Sequence, residues 1–164
     1  MWVSASKAFN LAGLKCAAVV TGSARLAGVV ERIPAEVAER TGHWGVLASV
    51  AAFTEGDAWL RTLLETLAAR RAQLDELLAA RLPAVRWSPP QATYLAWLDC
   101  AELGRDAGPR ELFLTRGRVA LEPGTRFGAP GSGFVRLNFA TSPEMLDEAV
   151  TRMAAAAGSG EVAR

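Results

Sequence analysis

The clearest pattern in the sequence is a stripe of leucines in the middle of the chain. Apolar residues recur at three- and four-residue steps from Leu60 onward, and charged residues fill positions between them. This spacing places the leucines on one face of an α-helix. Because Gly56 and Pro83 bound the pattern, we predict a long amphipathic helix of about seven turns with Asp57 as its N-cap. The stripe comprises Leu60, Leu63, Leu64, Leu67, Leu74, Leu77 and Leu78.

The residues before this helix predict one strand and further helices. Residues 2–13 are small and polar, which is typical of a loop, and residues 16–21 form an apolar run that predicts a buried strand. Two helical patterns follow, at residues 24–33 and 35–54, and two glycines are weak points in the second. Residues 46–53 are almost entirely apolar, as in a helix that is buried or lies in an interface. Because one strand is not a sheet, this third of the chain is predicted to be part of a larger domain.

Beyond the long helix, short strands alternate with helices. We predict strands at residues 85–87, 93–100, 119–121 and 134–139, and helices at residues 109–117 and 143–158. Ser142 caps the last helix. Alternation in the last strand places Arg136 on the face opposite Val135 and Leu137. This mixture predicts an α+β subdomain, in which helices cover one face of a sheet.

Composition and charge exclude several functional classes. The chain has 164 residues, of which 51% are hydrophobic and 21% charged, and its net charge of +1 argues against a nucleic-acid partner. No apolar run approaches the roughly 18–20 residues that span a membrane. The N-terminus does not have the pattern of a signal peptide, so we expect a cytoplasmic location.

The cysteines and the histidine point away from metal and hydrolase chemistry. Cys16 and Cys100 lie far apart in apolar surroundings, so we expect two buried thiols rather than a disulfide. His43 is the only histidine. With these ligands no zinc site can be assembled, and no Gly-x-Ser-x-Gly motif is present to serve a hydrolase. We expect His43 to be a packed or capping residue.

Lysine is rare in this chain, and both lysines lie near the start. Of 18 basic residues, only Lys7 and Lys15 are not arginine. Lysine can lose its proton and act as a nucleophile, whereas arginine stays charged. The hydroxyls of Ser4 and Ser6 precede Lys7, and hydroxyls with an ammonium group suit a phosphate. The segment could therefore hold an aldehyde cofactor that bears a phosphate, such as pyridoxal phosphate (PLP). On spacing alone, a polar surface loop with two solvated lysines also fits.

The run from Ser4 to Lys15, Ser-Ala-Ser-Lys-Ala-Phe-Asn-Leu-Ala-Gly-Leu-Lys, closely resembles the lysine motif of the class I/II aminotransferases, which are fold-type I PLP enzymes. Later motifs resemble most closely the MalY/PatB-type branch of cystathionine β-lyases and cysteine-S-conjugate C–S lyases. They are Ala-Thr-Tyr-Leu-Ala-Trp-Leu-Asp-Cys at residues 92–100, Val-Ala-Leu-Glu-Pro-Gly at 119–124, Phe-Gly at 127–128 and Gly-Ser-Gly-Phe-Val-Arg-Leu-Asn-Phe-Ala at 131–140. The resemblance extends over residues 3–157.

This resemblance implies an α/β, PLP-dependent transferase-like fold, of which the chain is a C-terminal fragment. Residues 1–55 would be a remnant of the large PLP-binding domain, residues 56–83 the connecting helix, residues 84–158 the α+β small domain, and residues 159–164 a frayed tail. In the family, most of the cofactor site precedes the lysine. We therefore expect the isolated chain to show no cofactor absorbance near about 420 nm.

The resemblance also implies roles for residues near the start of the chain. Lys7 would bond covalently to the cofactor aldehyde, and Ser4, Ser6 and Lys15 would hold its phosphate. Most class I enzymes have arginine at the position of Lys15. Lysine keeps the charge but loses the bidentate fork, and the lyase branch tolerates the replacement.

Two further residues are assigned to the substrate. Arg136 matches the arginine that binds the substrate α-carboxylate, and an arginine among apolar strand residues needs such a partner. A solvated strand face is the alternative. Tyr94 lies on a strand that the resemblance places near the substrate pocket, and packing within the small domain is its alternative.

Three functions remain open from the sequence. The first is a PLP-dependent β-lyase that cleaves the Cβ–S bond of a cysteine conjugate to pyruvate, ammonia and a thiol. The second is a class I/II aminotransferase, and the third is a truncated, non-catalytic domain. The first two imply an amino-acid substrate and a homodimer.

Overall fold

The computed structural model describes residues 1–103 and 108–158. The chain divides into two compact units, one formed by residues 1–64 and the other by the residues from 65 onward. The tail predicted at residues 159–164 lies outside the described residues. Within the described ranges, none of the helices combines the length and the apolar character that crossing a bilayer requires.

The first unit contains a small sheet and three helices before the long helix. Strands β1 (Trp2–Val3) and β2 (Ala18–Val19) pair antiparallel, with Trp2 opposite Val19. A 3-10 turn, Ala12–Leu14, lies between them. The helices are α1 (Ala24–Val30), α2 (Ala35–Glu39) and α3 (His43–Glu55).

Two predictions for this unit need correction. The buried strand predicted at residues 16–21 is wrong in extent and in burial, because only Ala18–Val19 pairs and both residues are exposed. Its partner strand is also two residues long, so the sheet has no interior position. The helical pattern at residues 35–54 is divided where Gly42 takes an extended conformation and precedes α3.

The apolar section of α3 forms a face that the first unit leaves open to solvent. The side chains that make up this face, which we call the α3 face, are between 43% and 56% exposed; they are Val46, Leu47, Val50 and Phe53. Apolar patches of this kind promote association.

We expect the isolated chain to self-associate through the α3 face, and Val50→Glu to raise the monomer fraction. Val50 is 56% exposed, so a carboxylate there is tolerated by the fold while it opposes apolar contact. Sedimentation velocity measures the effect. Val37→Glu is the matched control, since Val37 is 58% exposed on α2 and lies outside the face. A monomeric wild-type chain, or an equal effect of both variants, would contradict the expectation.

The long helix predicted from the leucine stripe is confirmed as α4 (Asp57–Arg81). Asp57 lies in its first turn rather than at the N-cap, because Gly56 before it is already helical, with φ −82° and ψ −1°.

Close packing requires glycine at position 56. A Cβ there would stand 2.5 Å from Cε1 of Phe9, whose ring stacks on Trp59 at 5.8 Å between centroids.

The second unit is built on a four-stranded antiparallel sheet in the order β3-β4-β6-β5. Its strands are β3 (Arg86–Trp87), β4 (Leu95–Asp99), β5 (Glu122–Pro123) and β6 (Phe134–Asn138), and its helices are α5 (Gly108–Thr115) and α6 (Pro143–Gly158). The strand predicted at residues 119–121 is wrong. The Val119 N–H donates to the Phe113 carbonyl of α5, so pairing with β6 begins only at Glu122.

The core of this unit lies on one face of the sheet. Alternate strand residues point into it and meet the last turns of α4 together with α5 and α6. It includes Leu74, Leu78, Leu98, Phe113, Val135, Leu137, Phe139, Leu146, Val150 and Met153. The α+β subdomain with one covered face is therefore present. The opposite face of the sheet carries Trp97, Phe134 and Arg136.

The two thiols differ in their surroundings. Cys100 is buried, as predicted, whereas Cys16 is half-buried. Burial, with a smaller contribution from Asp99, raises the pKa of Cys100 to about 12. The thiolate is the reactive form, so Cys100 is almost entirely unreactive near neutral pH.

Native chain is therefore expected to react with Ellman's reagent at Cys16 and not at Cys100. The Cys100 thiol becomes titratable only after urea unfolds the second unit, because unfolding removes the burial that raises its pKa. Counting released thiolate with and without urea checks this. A Cys16→Ser variant isolates the Cys100 signal, and rapid reaction of that variant in the folded state would contradict the prediction.

Candidate functional site

The two serines before Lys7 meet in a hydrogen-bonded cluster. The hydroxyl of Ser4 donates to the Cys16 carbonyl at 3.0 Å, and its oxygen lies 2.7 Å from the Ser6 hydroxyl. The Ser6 N–H donates to the same Ser4 oxygen at 3.1 Å. Because the single Ser4 proton is directed at Cys16, Ser6 is the donor between the two hydroxyls.

Lys7 lies on a single turn of chain that follows Ser4. The turn is closed by a hydrogen bond of 3.0 Å from the Phe9 N–H to the Ala5 carbonyl, and Ala5 is buried beneath it. Lys7 is exposed on this turn. Lys15 is exposed as well and adopts a left-handed conformation with φ 52°. Neither ammonium group has a hydrogen bond or ion pair with any side chain or carbonyl in the described ranges.

The structure thus brings Ser4 and Ser6 together, and the hydrogen bond from Ser4 connects them to Cys16, the residue after Lys15.

A cavity of about 360 Å³ adjoins Ser4 and has an almost wholly apolar lining. It lies between the β1–β2 ribbon and the α3 face, and its lining includes Val3, Cys16 and Phe53. The apolar section of α3 was the sequence signal for this cavity, and it predicted a helix that is buried or lies in an interface.

Arg136 lies on the outer face of the sheet in the second unit, as alternation in β6 predicts. Across the sheet it is paired with Trp97 on one side and Glu122 on the other. Its Nη2 lies 3.6 Å from Oε2 of Glu122, and its Cζ lies 4.8 Å from the centroid of the Phe127 ring. The Arg136 side chain is 32% exposed, so one side of the guanidinium remains open.

Most neighbours of Arg136 were not identified from the sequence. Trp97 stacks on Phe134 and meets Phe127 edge-on, with ring centroids 5.5 Å apart in both pairs. The Glu122 carboxylate accepts a hydrogen bond from Arg126. This bond, together with the charges of Arg126 and Arg136, lowers the pKa of Glu122. Alternation in β6 predicts Phe134 on the same face as Arg136, and alternation in β4 was the signal that could have found Trp97.

Tyr94 and His43 have simpler surroundings. Tyr94 is half-buried against the core of the second unit, and its carbonyl accepts the Phe139 N–H at 3.0 Å. Tyr94 therefore packs within this unit, and its role near the substrate stays a prediction. His43 is the first residue of α3, is exposed, and lies edge-on to Trp44 with ring centroids 6.4 Å apart, so it is not a packed core residue.

A model of the family "Aminotransferase class I and II" matches residues 1–153. This chain belongs to that family. One of its relatives is a Mycobacterium leprae protein named as a cystathionine β-lyase. The two sequences are 45% identical over a match that covers 92% of this chain and 40% of the relative. Cystathionine β-lyase PatB of Bacillus subtilis is 36% identical over 92% of this chain and 40% of its own length.

Solved structures confirm the fold of this family member. The PLP-bound C–S lyase from Staphylococcus hominis superposes with a TM-score of 0.86 at 25% identity, covering 98% of this chain and 42% of that one. The α/β, PLP-dependent transferase-like fold predicted above is therefore confirmed. The chain spans about 40% of the length of the curated relatives it matches.

Proposed function

We propose that this chain is the lysine-bearing, C-terminal part of a PLP-dependent C–S β-lyase that acts on cystathionine or another cysteine conjugate. The names of the relatives from Mycobacterium leprae and Bacillus subtilis support the reaction class. The observation that carries the proposal is the hydroxyl cluster of Ser4 and Ser6 on the same short segment as the exposed Lys7. The proposal includes a homodimeric state and a cytoplasmic location.

The residues of the lysine segment fit one edge of PLP. Ser4 and Ser6 offer two hydroxyls 2.7 Å apart, which can turn toward the oxygens of a phosphate. Lys15 adds a cation that has no partner among the described residues and whose segment is tied to Ser4 through Cys16. Lys7 supplies the amine for the aldehyde. In this assignment Ser4, Ser6 and Lys15 would hold the phosphate, and Lys7 would supply the amine that bonds to the aldehyde carbon.

Substrate binding and proton removal are assigned to side chains of this chain. Arg136 binds the substrate α-carboxylate through its guanidinium fork. Once the substrate amine has displaced Lys7 from the cofactor, the freed Lys7 amine would remove the proton from Cα of the substrate. Bound PLP would supply the electron sink for that proton removal. Loss of the thiolate from Cβ, followed by hydrolysis, gives pyruvate, ammonia and a thiol.

The alternatives are an aminotransferase, which shares the proton-removal step, and a non-catalytic domain. An aminotransferase returns the proton at a different carbon and uses the same lysine, and an LL-diaminopimelate aminotransferase of Nitratidesulfovibrio vulgaris is 27% identical over 92% of this chain. The chain spans about 40% of the length of the curated relatives, and a non-catalytic domain is the third alternative.

An assay of the purified chain with PLP and L-cystathionine separates the three functions. Release of pyruvate without an added keto acid supports the lyase. A requirement for a keto acid supports the aminotransferase. Absence of turnover under both conditions supports the non-catalytic domain.

A further inference from the structure

The carboxylate of Glu122 lies between two arginines and is shared unequally. Arg126 donates a hydrogen bond through Nη1 to Oε1 of Glu122. Arg136 approaches the other oxygen, Oε2, only to 3.6 Å, which is beyond hydrogen-bonding distance. Glu122 is therefore bound to Arg126 and only loosely paired with Arg136.

This unequal sharing leaves the guanidinium of Arg136 without a hydrogen-bond acceptor in residues 1–103 and 108–158. The Cζ atom of Arg136 lies over the ring of Phe127, 4.8 Å from the ring centroid. This contact is an attraction between the charge and the ring quadrupole rather than a hydrogen bond to an acceptor. Arg126, Arg136 and Glu122 together carry one net positive charge, which favours an incoming anion.

We propose that Arg126 is a positioning residue that draws the Glu122 carboxylate away from Arg136 and so keeps the Arg136 guanidinium free for a substrate carboxylate. The inference rests on the proposed role of Arg136. Arg126 itself does not touch the substrate in this account. Its side chain is 71% exposed and acts only through Glu122.

The Glu122 carboxylate is close enough to become the hydrogen-bond partner of Arg136 in place of a substrate. Arginine and carboxylate groups form bidentate pairs when their planes align. If Arg126 is absent, a small rotation of the Glu122 side chain closes the 3.6 Å gap to Arg136. The internal carboxylate then competes with an external one. Because the arginines also lower the pKa of Glu122, with the Arg126 hydrogen bond the largest cause, its carboxylate is charged at neutral pH and remains a competitor.

The test is a titration of the full 164-residue chain with sodium propionate at constant ionic strength, followed through the ¹⁵Nε–¹H resonance of Arg136. Propionamide is the neutral control. We expect Arg126→Gln to weaken propionate binding about two- to fivefold, since exposed ion pairs have small energies. Adding Glu122→Gln to that variant removes the competitor and restores or exceeds the wild-type affinity.

A matched control distinguishes this effect from general loss of charge. Arg152 forms an equivalent exposed pair with Glu148 on α6, four residues apart, at 2.7 Å. Arg152→Gln is expected to leave propionate binding unchanged. The ¹³C titration of the Glu122 carboxyl is a second readout, and its pKa is expected to rise in Arg126→Gln.

The outcomes separate this inference from the proposed function. Weaker binding in Arg126→Gln without rescue by Glu122→Gln would overturn the positioning role, as would unchanged binding in Arg126→Gln. Binding that appears only after Glu122→Gln in the otherwise wild-type chain would also overturn it, while leaving Arg136 as the carboxylate site. Absence of binding in every variant would overturn both the inference and the proposed role of Arg136.

Discussion

Replacement of Lys7 by arginine is expected to abolish covalent capture of PLP at this position. Arginine keeps the positive charge, but its guanidinium stays protonated and does not act as a nucleophile toward an aldehyde. Lys7 is exposed, so the substitution leaves packing unchanged. The measurement is the mass of the intact chain after incubation with a limiting amount of PLP and reduction with borohydride. Reduction is irreversible, so label accumulates even where the bound fraction of PLP is too small to give an absorbance band near about 420 nm.

Lys15→Arg is the matched control for this substitution. It exchanges the other lysine of the chain in the same way, and it retains the cation assigned to the phosphate. We expect the Lys15→Arg chain to keep its phosphopyridoxyl label and the Lys7→Arg chain to lose it. Equal labelling of the two variants would mean that Lys7 has no privileged reactivity.

Gly131→Ala is expected to cost the second unit about 3 kcal/mol of unfolding free energy. A Cβ on Gly131 would stand 2.0 Å from the carbonyl oxygen of Gly124 and 2.4 Å from its carbonyl carbon. Both atoms belong to the backbone, so no flexible side chain can move aside. The contact joins the two 3-10 turns, Gly124–Phe127 and Ala129–Gly131, that connect β5 to β6.

Urea unfolding monitored by circular dichroism measures this loss. Gly158→Ala is the control, because a Cβ at Gly158 meets nothing within 4 Å. We expect that variant to unfold at the wild-type urea concentration or slightly above it, since alanine favours a helix over glycine. If Gly131→Ala unfolds like Gly158→Ala, the backbone contact does not hold the loop.

Elements with a strong local pattern could be predicted from the sequence. The leucine stripe and its bounding Gly56 and Pro83 predict α4, and strict alternation predicts β6 and the face on which Arg136 lies. Predictions failed where structure depends on distant partners. Residues 119–121 have strand-like composition, but the register with β6 places pairing at Glu122. Residues 16–21 are apolar, but the described residues provide only one short strand beside them.

The same limit applies to the sites. Spacing could group Ser4, Ser6 and Lys7, because they are adjacent in sequence, and the resemblance supplied the cofactor chemistry. The surroundings of Arg136 could not be read in this way. Glu122 reaches it through strand pairing, and Phe127 reaches it through a loop whose path is set by backbone packing.

The position of the PLP label in the wild-type chain shows whether Lys7 is the lysine that captures the cofactor. After reduction with borohydride at limiting PLP, peptide mapping reports how much label lies on Lys7, on Lys15 and on the N-terminal amine. We expect most of the label on Lys7, and we expect inorganic phosphate to suppress it more than chloride at the same ionic strength. Label divided evenly among the three amines, with no specific effect of phosphate, would mean that Lys7 does not have this role.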